Sequence, residues 1–258
     1  MKLTILGCSG SVGGPKGPAS GYLVSVPDAP SLLMDIGPGV LARLQEVQNP
    51  SDAHVVFSHL HADHCLDFPS LLVWRRFHPE LAAKCRHLCF GPEATSRHLG
   101  PLSSDREKMA DDMSDTFAFT PWTEGKAEQI DRLQVTPFRV VHPVETYALR
   151  VTDSTGTTLT YSGDSAYTEN LVAAAGDADV FLCEATWGKE GNGPVPNMHM
   201  DGAEAGRIAQ AAGVGKLVLI HIPPWGDPEG AKAAAEQYYD GPVELGYAGM
   251  ELELGESG

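Results

Sequence analysis

The sequence contains no long hydrophobic run. No stretch approaches the roughly 18–20 consecutive apolar residues that a transmembrane helix needs. The apolar stretch nearest the N-terminus covers only residues 3–6, and Gly7 follows directly. That stretch is too short for the hydrophobic core of a signal peptide. The sequence therefore predicts a cytoplasmic protein that does not enter a membrane.

Cysteine and basic residues are also scarce. The five cysteines are odd in number and irregularly spaced, so we expect reduced thiols and no disulfide framework. Lysine and arginine total 18 against 34 acidic residues, which gives a formal net charge of -16. Because long nucleic acids are held largely by contacts between basic side chains and phosphate, we do not expect such a partner. A small phosphate ester stays compatible with this charge, since bound divalent cations could make one pocket positive.

Length and pattern predict one α/β domain that covers residues 1–258. Short apolar runs rich in Val, Ile, Leu, Thr and Tyr alternate with helical patterns over most of the chain. Strands are predicted at residues 2–6, 22–26, 31–36, 54–58, 87–90, 134–141, 146–151, 158–162, 180–184, 217–221 and 243–245. Helices are predicted at residues 39–46, 65–77, 93–99, 169–174, 201–212 and 228–238. The strands come in clusters with hairpin-like pairs, which indicates mixed sheets covered by helices.

Two segments show no regular pattern. Residues 101–126 are polar and acidic, and residues 188–197 (GKEGNGPVPN) are rich in Gly, Pro and Asn. Both are interpreted as surface loops. The second segment could instead be a mobile lid, because a histidine follows it closely.

The segment SHLHADH, residues 58–64, concentrates three histidines and an aspartate behind the predicted strand VVFS. His59 and His61 are two positions apart, so both imidazoles point to one side of an extended segment. Asp63 follows at the same spacing, and His64 lies where the chain turns into a helix. Crowded neutral imidazoles pack poorly without a cation, but they are natural ligands of Zn, Fe or Mn. The segment therefore predicts a metal site.

Three further residues of ligand type directly follow other apolar runs: His142 in VVHP, Asp164 in TYSGD and His221 in VLIH. A single histidine at a strand end is more often structural. Together with the SHLHADH segment, however, these residues form a set of seven. That set is large for one tetrahedral ion, so two metals become the better interpretation.

HLHADH, followed by His142, Asp164 in YSGDS and His221 in LIHIPP, resembles the metallo-β-lactamase fold superfamily. The similarity extends from ILGCSGS through MDIGPG to LIHIPP and so covers nearly the whole chain. It implies a four-layer αββα sandwich with the metal site at one edge of two sheets. It also implies that one metal is bound by His59, His61 and His142, that the other is bound by Asp63, His64 and His221, and that Asp164 bridges them.

A pair of metals implies hydrolytic chemistry. Two divalent cations about 4 Å apart can share a water molecule and lower its pKa toward neutrality. The resemblance therefore implies an enzyme in which a metal-bridging hydroxide attacks an electrophile. Asp63 could also accept a hydrogen bond that orients this hydroxide. Ser58 or Asp35 could orient the histidines, and the sequence does not choose between them.

Two features of the sequence restrict the substrate. The β-lactamase branch has a cysteine at the bridging position, where this chain has Asp164. Glu184 in LCEATW and His199 in NMHMDGAEAG are similar to paired segments of ribonuclease Z-like phosphodiesterases. In that branch the glutamate orients the histidine, which contacts the scissile phosphate or protonates the leaving oxygen. The long arm with which transfer RNA-processing members hold their substrate has no counterpart here, because only 22 positions separate His142 from Asp164.

The segments GCSGSVGGP, SHLHADHCLDFPSLLVWRRFHP and FLCEATW resemble actinobacterial enzymes related to class II cyclic nucleotide phosphodiesterases. This similarity implies hydrolysis of 3′,5′-cyclic AMP to 5′-AMP. Two divalent metal ions are expected, with zinc as the preferred metal and manganese or iron as alternatives. Trp74, Trp187 or Trp225 could stack on the adenine, and a homodimer is expected from the related group. The alternatives are a ribonuclease Z-like RNA phosphodiesterase and a lactone or thioester hydrolase of the same fold. A metal- or nucleotide-binding sensor without turnover is a further alternative.

Overall fold

A computed structural model, which describes residues 1–189, 191 and 193–255, contains two seven-stranded sheets. The first sheet has the order β14-β1-β2-β3-β4-β5-β6, with β1 (Lys2–Gly7), β2 (Gly21–Ser25), β3 (Ser31–Met34), β4 (Ala53–Val56), β5 (His87–Gly91), β6 (Phe117–Pro121) and β14 (Glu251–Glu253). The second has the order β13-β12-β11-β10-β9-β8-β7, with β7 (Glu128–Ile130), β8 (Leu133–Arg139), β9 (Tyr147–Asp153), β10 (Thr158–Tyr161), β11 (Val180–Glu184), β12 (Leu217–Ile220) and β13 (Val243–Leu245). Both sheets combine parallel and antiparallel pairs, as the clustered strands predict.

The helices cover the outer faces of the two sheets. They are α1 (Val40–Val47), α2 (Ala62–Cys65), α3 (Phe68–Phe77), α4 (Thr95–Ser103), α5 (Glu169–Ala175), α6 (Gly202–Ala212) and α7 (Pro228–Ala235). Two short 3₁₀ turns lie at Pro50–Asp52 and Met113–Asp115. No helix of the described residues is long and apolar enough to cross a bilayer.

Alternating side chains of the strands build three apolar layers between four layers of structure. In β12, Val218 and Ile220 face the core between the sheets, whereas Leu217 and Leu219 pack under the helices of the second sheet. In β1, Leu3 contributes to the same inter-sheet core. A third cluster fills the space between the first sheet and helices α1, α3 and α4. The predicted αββα arrangement is thus confirmed.

Helix α6 begins and ends where the sequence predicts. The Asp201 side chain accepts a hydrogen bond from the Glu204 backbone N–H at 2.9 Å, and the Glu204 carboxylate accepts one from the Asp201 N–H at 3.1 Å. Gly213 ends the helix in the left-handed conformation, with φ 65°. This capping fixes the segment that carries His199, which lies two positions before the N-cap residue Asp201.

Three details of the sequence interpretation are wrong. The helix predicted over residues 65–77 is divided into α2 and α3, with Asp67 and Pro69 at the start of the second helix. The irregular segment 101–126 contains β6, whose apolar Phe117 pairs in parallel with β5. Two adjacent arginines within a predicted helix, Arg75 and Arg76, suggest a solvated helix face, but Arg75 is 1% exposed.

The strand arrangement brings the candidate residues to one edge. Strands β10, β11 and β12 are mutually parallel, so their carboxyl ends meet at the same side of the second sheet. Asp164, Glu184 and His221 lie at or just after these ends. His59 follows β4, which ends at the facing edge of the first sheet.

Candidate metal centre

The SHLHADH segment leaves β4 and turns into α2. His59 is fully buried, His61 is the N-cap residue of α2 with extended backbone, and Asp63 and His64 lie within that short helix. Two glycines allow neighbouring chain segments to approach. A Cβ on Gly37 would lie 1.9 Å from the Asp63 carbonyl oxygen, and one on Gly10 would lie 2.1 Å from that of His221. The close approach of the GCSGSVGG turn to the site therefore requires glycine at position 10.

The seven predicted residues form two groups that share Asp164. The first group is His59, His61, His142 and Asp164, and the second is Asp63, His64, Asp164 and His221. Within each group, one nitrogen or carboxylate oxygen per residue lies within 4.8 Å of all the others. The groups have the same membership as the two ligand sets implied by the resemblance.

The hydrogen bonds at Nδ1 determine which imidazole nitrogens carry lone pairs in the second group. His64 Nδ1 lies 2.8 Å from a carboxylate oxygen of Asp35 and therefore donates to it. The Thr186 hydroxyl donates to the His221 carbonyl oxygen at 3.0 Å, so it accepts from His221 Nδ1–H at 2.9 Å. In these neutral tautomers, both Nε2 atoms bear lone pairs, and they face each other at 3.2 Å. Such an arrangement is unfavourable unless a cation lies between the nitrogens.

The same reasoning holds in the first group. His142 Nδ1 donates to the Met198 carbonyl oxygen at 2.7 Å, which leaves its Nε2 as an acceptor. The Ser58 hydroxyl donates to Asp35 at 2.6 Å and accepts from His59 Nδ1–H at 3.0 Å. His59 Nε2 is thus a lone-pair nitrogen.

Two buried atoms that face this centre have no hydrogen-bond partner among the described residues. They are His59 Nε2 and Asp164 Oδ1. Buried polar atoms are nearly always hydrogen-bonded. A buried imidazole nitrogen and a buried carboxylate oxygen without such a partner are therefore suited to coordinate a metal through their lone pairs. The residues present therefore fit a divalent cation in each group.

The electrostatics of the site also favour positive charge. Burial lowers the pKa of His59 well below its ordinary value, so this imidazole is neutral. Burial opposes ionisation of Asp164, but His221 and His64 hold its pKa well below the usual range. Burial likewise disfavours a charged His64, yet Asp164 and Asp35 raise its pKa well above the ordinary value, so its Nε2 holds a proton unless a metal ion takes the place of that proton. The carboxylates thus remain anionic and attract a cation to the centre.

Asp35 connects the two groups. Its Oδ2 atom accepts from the Ser58 hydroxyl, from His64 Nδ1 and from the Tyr161 hydroxyl at 2.6, 2.8 and 2.8 Å, and its Oδ1 atom accepts from the Ser58 N–H at 2.8 Å. It orients His64 directly and His59 through Ser58. The sequence left Ser58 and Asp35 as alternatives for orienting the histidines, whereas the structure shows that both do so. Tyr161 and Thr186 were not predicted, because nothing in the sequence links them to the motif.

Asp35→Asn is expected to weaken metal binding by about 10–100-fold. The NH₂ group of asparagine donates hydrogen bonds and accepts none. If it replaces Oδ2, His64 and Ser58 lose the acceptor that they share. Competition with a chromophoric chelator measures this affinity. Tyr161→Phe is the matched control, because it removes one donor to Asp35 and leaves both histidine contacts. Equal affinities for the two variants would contradict the role of Asp35.

Glu184 and His199 form a dyad beside the two groups. His199 Nδ1 lies 2.9 Å from Glu184 Oε1 and 3.9 Å from Asp164 Oδ2. Glu184 is fully buried, and its carboxylate also accepts the backbone N–H groups of Ser165 and Met200 at 2.6 and 3.3 Å. Burial opposes protonation of His199, but the Glu184 carboxylate prevails and raises its pKa to about 9. The Glu184 carboxylate therefore favours the protonated form of His199.

The remaining candidates lie at different distances from the site. The Trp187 ring is edge-on to His199, with ring centroids 5.2 Å apart. Trp74 lies on α3, where its indole N–H donates to Asn49 at 3.2 Å, and Trp225 is 72% exposed. Cys65 directly follows the SHLHADH segment, and burial raises the pKa of its thiol to about 12, so it is not suited to act as a nucleophile. Within the segment considered as a lid, residues 190 and 192 lie outside the described residues.

The chain belongs to the beta-lactamase superfamily: the family model described as "Beta-lactamase superfamily domain" matches residues 31–222. This range includes all seven residues of the two groups. Together, the fold and family define the class as metallo-hydrolases of the metallo-β-lactamase fold.

Individual relatives include proteins of this class. The chain is 46% identical to the uncharacterized protein ML1173 of Mycobacterium leprae, over 98% of this chain and 89% of that protein. It is 32% identical to the probable metallo-hydrolase YhfI of Bacillus subtilis, over 98% of this chain and all of the relative. The crystal structure of YhfI, described as a metallo-beta-lactamase fold protein, superposes with a TM-score of 0.87 at 27% identity and covers 98% of this chain and 99% of that one. Ribonuclease Z of Haloferax volcanii is 25% identical over 98% of this chain and 95% of its own length.

Proposed function

We propose that the protein is a dinuclear metal-dependent phosphodiesterase that hydrolyses 3′,5′-cyclic AMP to 5′-AMP. The observation that carries this proposal is the Glu184–His199 dyad, in which His199 Nδ1 lies 3.9 Å from the carboxylate shared by both groups. An imidazole that a buried carboxylate makes more basic, beside two sets of metal-type ligands, suits an anionic substrate whose leaving group needs a proton.

His59, His61 and His142 would hold one metal, Asp63, His64 and His221 the other, and Asp164 both. When bound, two divalent cations supply Lewis acidity toward phosphoryl oxygens and a water of lowered pKa. The donor set of imidazoles and carboxylates suits zinc, manganese or iron.

Asp63 is suited to orient the attacking water. Its contacts with His221 Nε2 at 3.1 Å and with His64 Nε2 at 3.5 Å both use Oδ2. Oδ1 can therefore accept a hydrogen bond from the water. The two histidines hold the pKa of Asp63 below the usual range although burial opposes its ionisation, so it serves as an acceptor at neutral pH.

His199 is suited to protonate the leaving ribose 3′ oxygen. Glu184 binds its Nδ1, so Nε2–H is the atom left to face a substrate. The Glu184 carboxylate is itself held by backbone N–H groups, which fixes the orientation of the imidazole. Glu184 thus acts by positioning His199.

Two observations support a small substrate. Between His142 and Asp164 the chain forms only the hairpin of β9 and β10, which leaves no room for an RNA-holding arm. The net charge of -16 also disfavours a long polyanion.

A substrate panel tests the proposed function. Metal-replete protein should hydrolyse cyclic AMP and bis(p-nitrophenyl) phosphate, lose both activities with a chelator and regain them with zinc or manganese. Faster cleavage of a transfer RNA precursor than of cyclic AMP would favour the ribonuclease Z-like alternative. Hydrolysis of lactones or thioesters without phosphodiester turnover would contradict the proposal, as would tight nucleotide binding without turnover.

His199→Gln is expected to slow cyclic AMP hydrolysis by about 10²–10⁴-fold, because the poor alkoxide leaving group loses its proton donor. Hydrolysis of bis(p-nitrophenyl) phosphate should fall much less, since p-nitrophenolate leaves without protonation. Steady-state kcat values for the two substrates provide the measurement. Equal losses would show that His199 acts in substrate binding or structure instead of in proton transfer.

A further inference from the structure

A separate cavity of about 410 Å³ lies next to the metal centre. Its walls come mainly from three chain segments, residues 8–18, 222–228 and 245–248, at the carboxyl ends of β1, β12 and β13, and Leu219 and Ile220 of β12 complete them. None of the seven residues of the two groups lines it. The volume is within the range of small-molecule sites.

The walls are mainly proline and aliphatic side chains. Five prolines line the cavity, namely Pro15, Pro18, Pro223, Pro224 and Pro228. Proline has a fixed φ angle, so these walls lose little conformational freedom when a ligand binds. Their flat apolar rings suit a planar aromatic group, as in the pairing of proline-rich peptides with aromatic grooves.

Close glycine contacts hold the three loops together. A Cβ on Gly14 would lie 2.8 Å from Pro224 Cγ, and one on Gly17 would lie 2.9 Å from Ala248 Cβ. The first contact joins the N-terminal loop to the loop after β12, and the second joins it to the loop after β13. The cavity is thus built into the fold.

Each loop also places one large apolar side chain in solvent. Val12, Trp225 and Tyr247 are 45%, 72% and 62% exposed, and Tyr247 lines the cavity. Exposed aromatic residues around an apolar cavity are typical of binding sites. Lys16 is the one charged side chain among the described lining residues, and it supplies a cation in an acidic protein.

The cavity shares its wall with the backbone that supports His221. The His221 N–H donates to the carbonyl oxygen of Cys8 at 2.9 Å, and the Gly10 N–H donates to that of Ile222 at 3.2 Å. Cys8 and Ile222 both line the cavity. His221 has a left-handed backbone, with φ 58°, which costs energy in a residue with a side chain. Its Nε2 faces Asp63, whereas its chain neighbours Ile220 and Ile222 line the cavity.

We propose that this cavity is a second ligand site, for a small molecule that carries a planar aromatic ring and one anionic group. The ring lies against the proline walls beside Tyr247, and the anion pairs with Lys16. A bound ligand contacts the supporting residues of His221 without contacting the metal-binding atoms. Ligand binding in this cavity does not depend on which bond the metal centre hydrolyses.

Titration of the metal-loaded full-length protein with indole-3-acetate, followed by ligand-observed NMR, tests the proposal. Saturable binding is expected at concentrations up to about 1 mM. Leu245→Trp, which fills the cavity, should weaken binding at least 10-fold, whereas Leu102→Trp on the exposed face of α4 should leave it unchanged. Lys16→Gln should weaken binding of indole-3-acetate several-fold but not that of neutral 3-methylindole, and Lys84→Gln is its control.

A parallel titration with 5′-AMP distinguishes a nucleotide from an aromatic carboxylate as the source of the ligand. Loss of binding of either probe in Leu245→Trp supports the second site. Absence of saturable binding by both probes, or binding of indole-3-acetate that is unaffected by Leu245→Trp, would overturn the proposal. Neither result depends on whether cyclic AMP is hydrolysed.

Discussion

Asp164→Asn is expected to lower kcat for phosphodiester hydrolysis by at least about 1,000-fold and to reduce bound metal from about two ions to one or fewer per chain. Asp164 is the one residue common to both groups. Its Oδ1 lies 3.3 Å from His64 Nε2, and its Oδ2 lies 3.7 Å from His59 Nε2 and 3.4 Å from His221 Nε2. Asparagine keeps the size of the side chain but replaces one oxygen with a donor and removes the charge.

Metal analysis by mass spectrometry and single-substrate kinetics provide the two measurements. Asp177→Asn is a matched control, because the same change occurs at an exposed position before β11, at the opposite end of the sheet from Glu184. If Asp177→Asn leaves activity and metal content unchanged, the losses in Asp164→Asn result from its position in the metal centre and not from the loss of one carboxylate charge in general. Full metal content in active Asp164→Asn protein would contradict the shared role of this carboxylate.

Arg75→Met is expected to lower the free energy of unfolding by about 3 kcal/mol or more. The guanidinium is buried and donates to the carbonyl oxygens of Ser51, Cys85 and Thr116 at 2.7, 3.3 and 2.9 Å, and also to the Thr116 hydroxyl at 2.6 Å. It stacks over the Phe117 ring with Cζ 4.2 Å from the centroid. Methionine fills part of the volume but leaves these buried acceptors without donors.

Arg75 makes one further contact in this pocket, with a histidine of β5. Its Nη2 lies 3.1 Å from Nδ1 of His87, which must accept from a guanidinium that has no acceptor atom. Burial and the charge of Arg75 lower the pKa of His87 to about 4, so this histidine is neutral at pH 7. Arg75 therefore connects α3 to β5 and to the turn before β6.

Arg76→Met is the control for this prediction. Arg76 is the next residue of the same helix and pairs with Asp111 and Asp115 at 2.6 and 2.8 Å in a partly exposed position. Such surface pairs contribute about 1 kcal/mol or less. Urea unfolding followed by circular dichroism compares the variants. A loss for Arg75→Met no greater than that for Arg76→Met would show that the buried contacts add little.

The positions of the candidate ligands could be predicted from the sequence because each follows an apolar run. Such runs form strands, and ligand-type residues directly after them accumulate at one sheet edge, as His221 after β12 shows. The helix over residues 201–212 could be predicted for a similar reason, since its capping signal is local. Strand β6 could not, because its short alternation of Phe and polar residues lies in an acidic segment and gains its stability from pairing with β5.

The burial of Arg75 could not be predicted either. Its acceptors lie 10, 24 and 41 positions away in the sequence, so nothing near the residue distinguishes it from the partly exposed Arg76. The role of Asp35 is equally non-local, since His64 and Tyr161 are 29 and 126 positions distant. The second cavity depends on three loops from both ends of the chain. In each case the decisive contact is tertiary.

The connection of Asp35 to both histidine sets affects how a single-metal version of the protein could be engineered. Any replacement of this carboxylate disturbs both half-sites at once, because His59 and His64 depend on it. A mononuclear variant must therefore be sought at a residue that belongs to one set alone, such as His61 or Asp63.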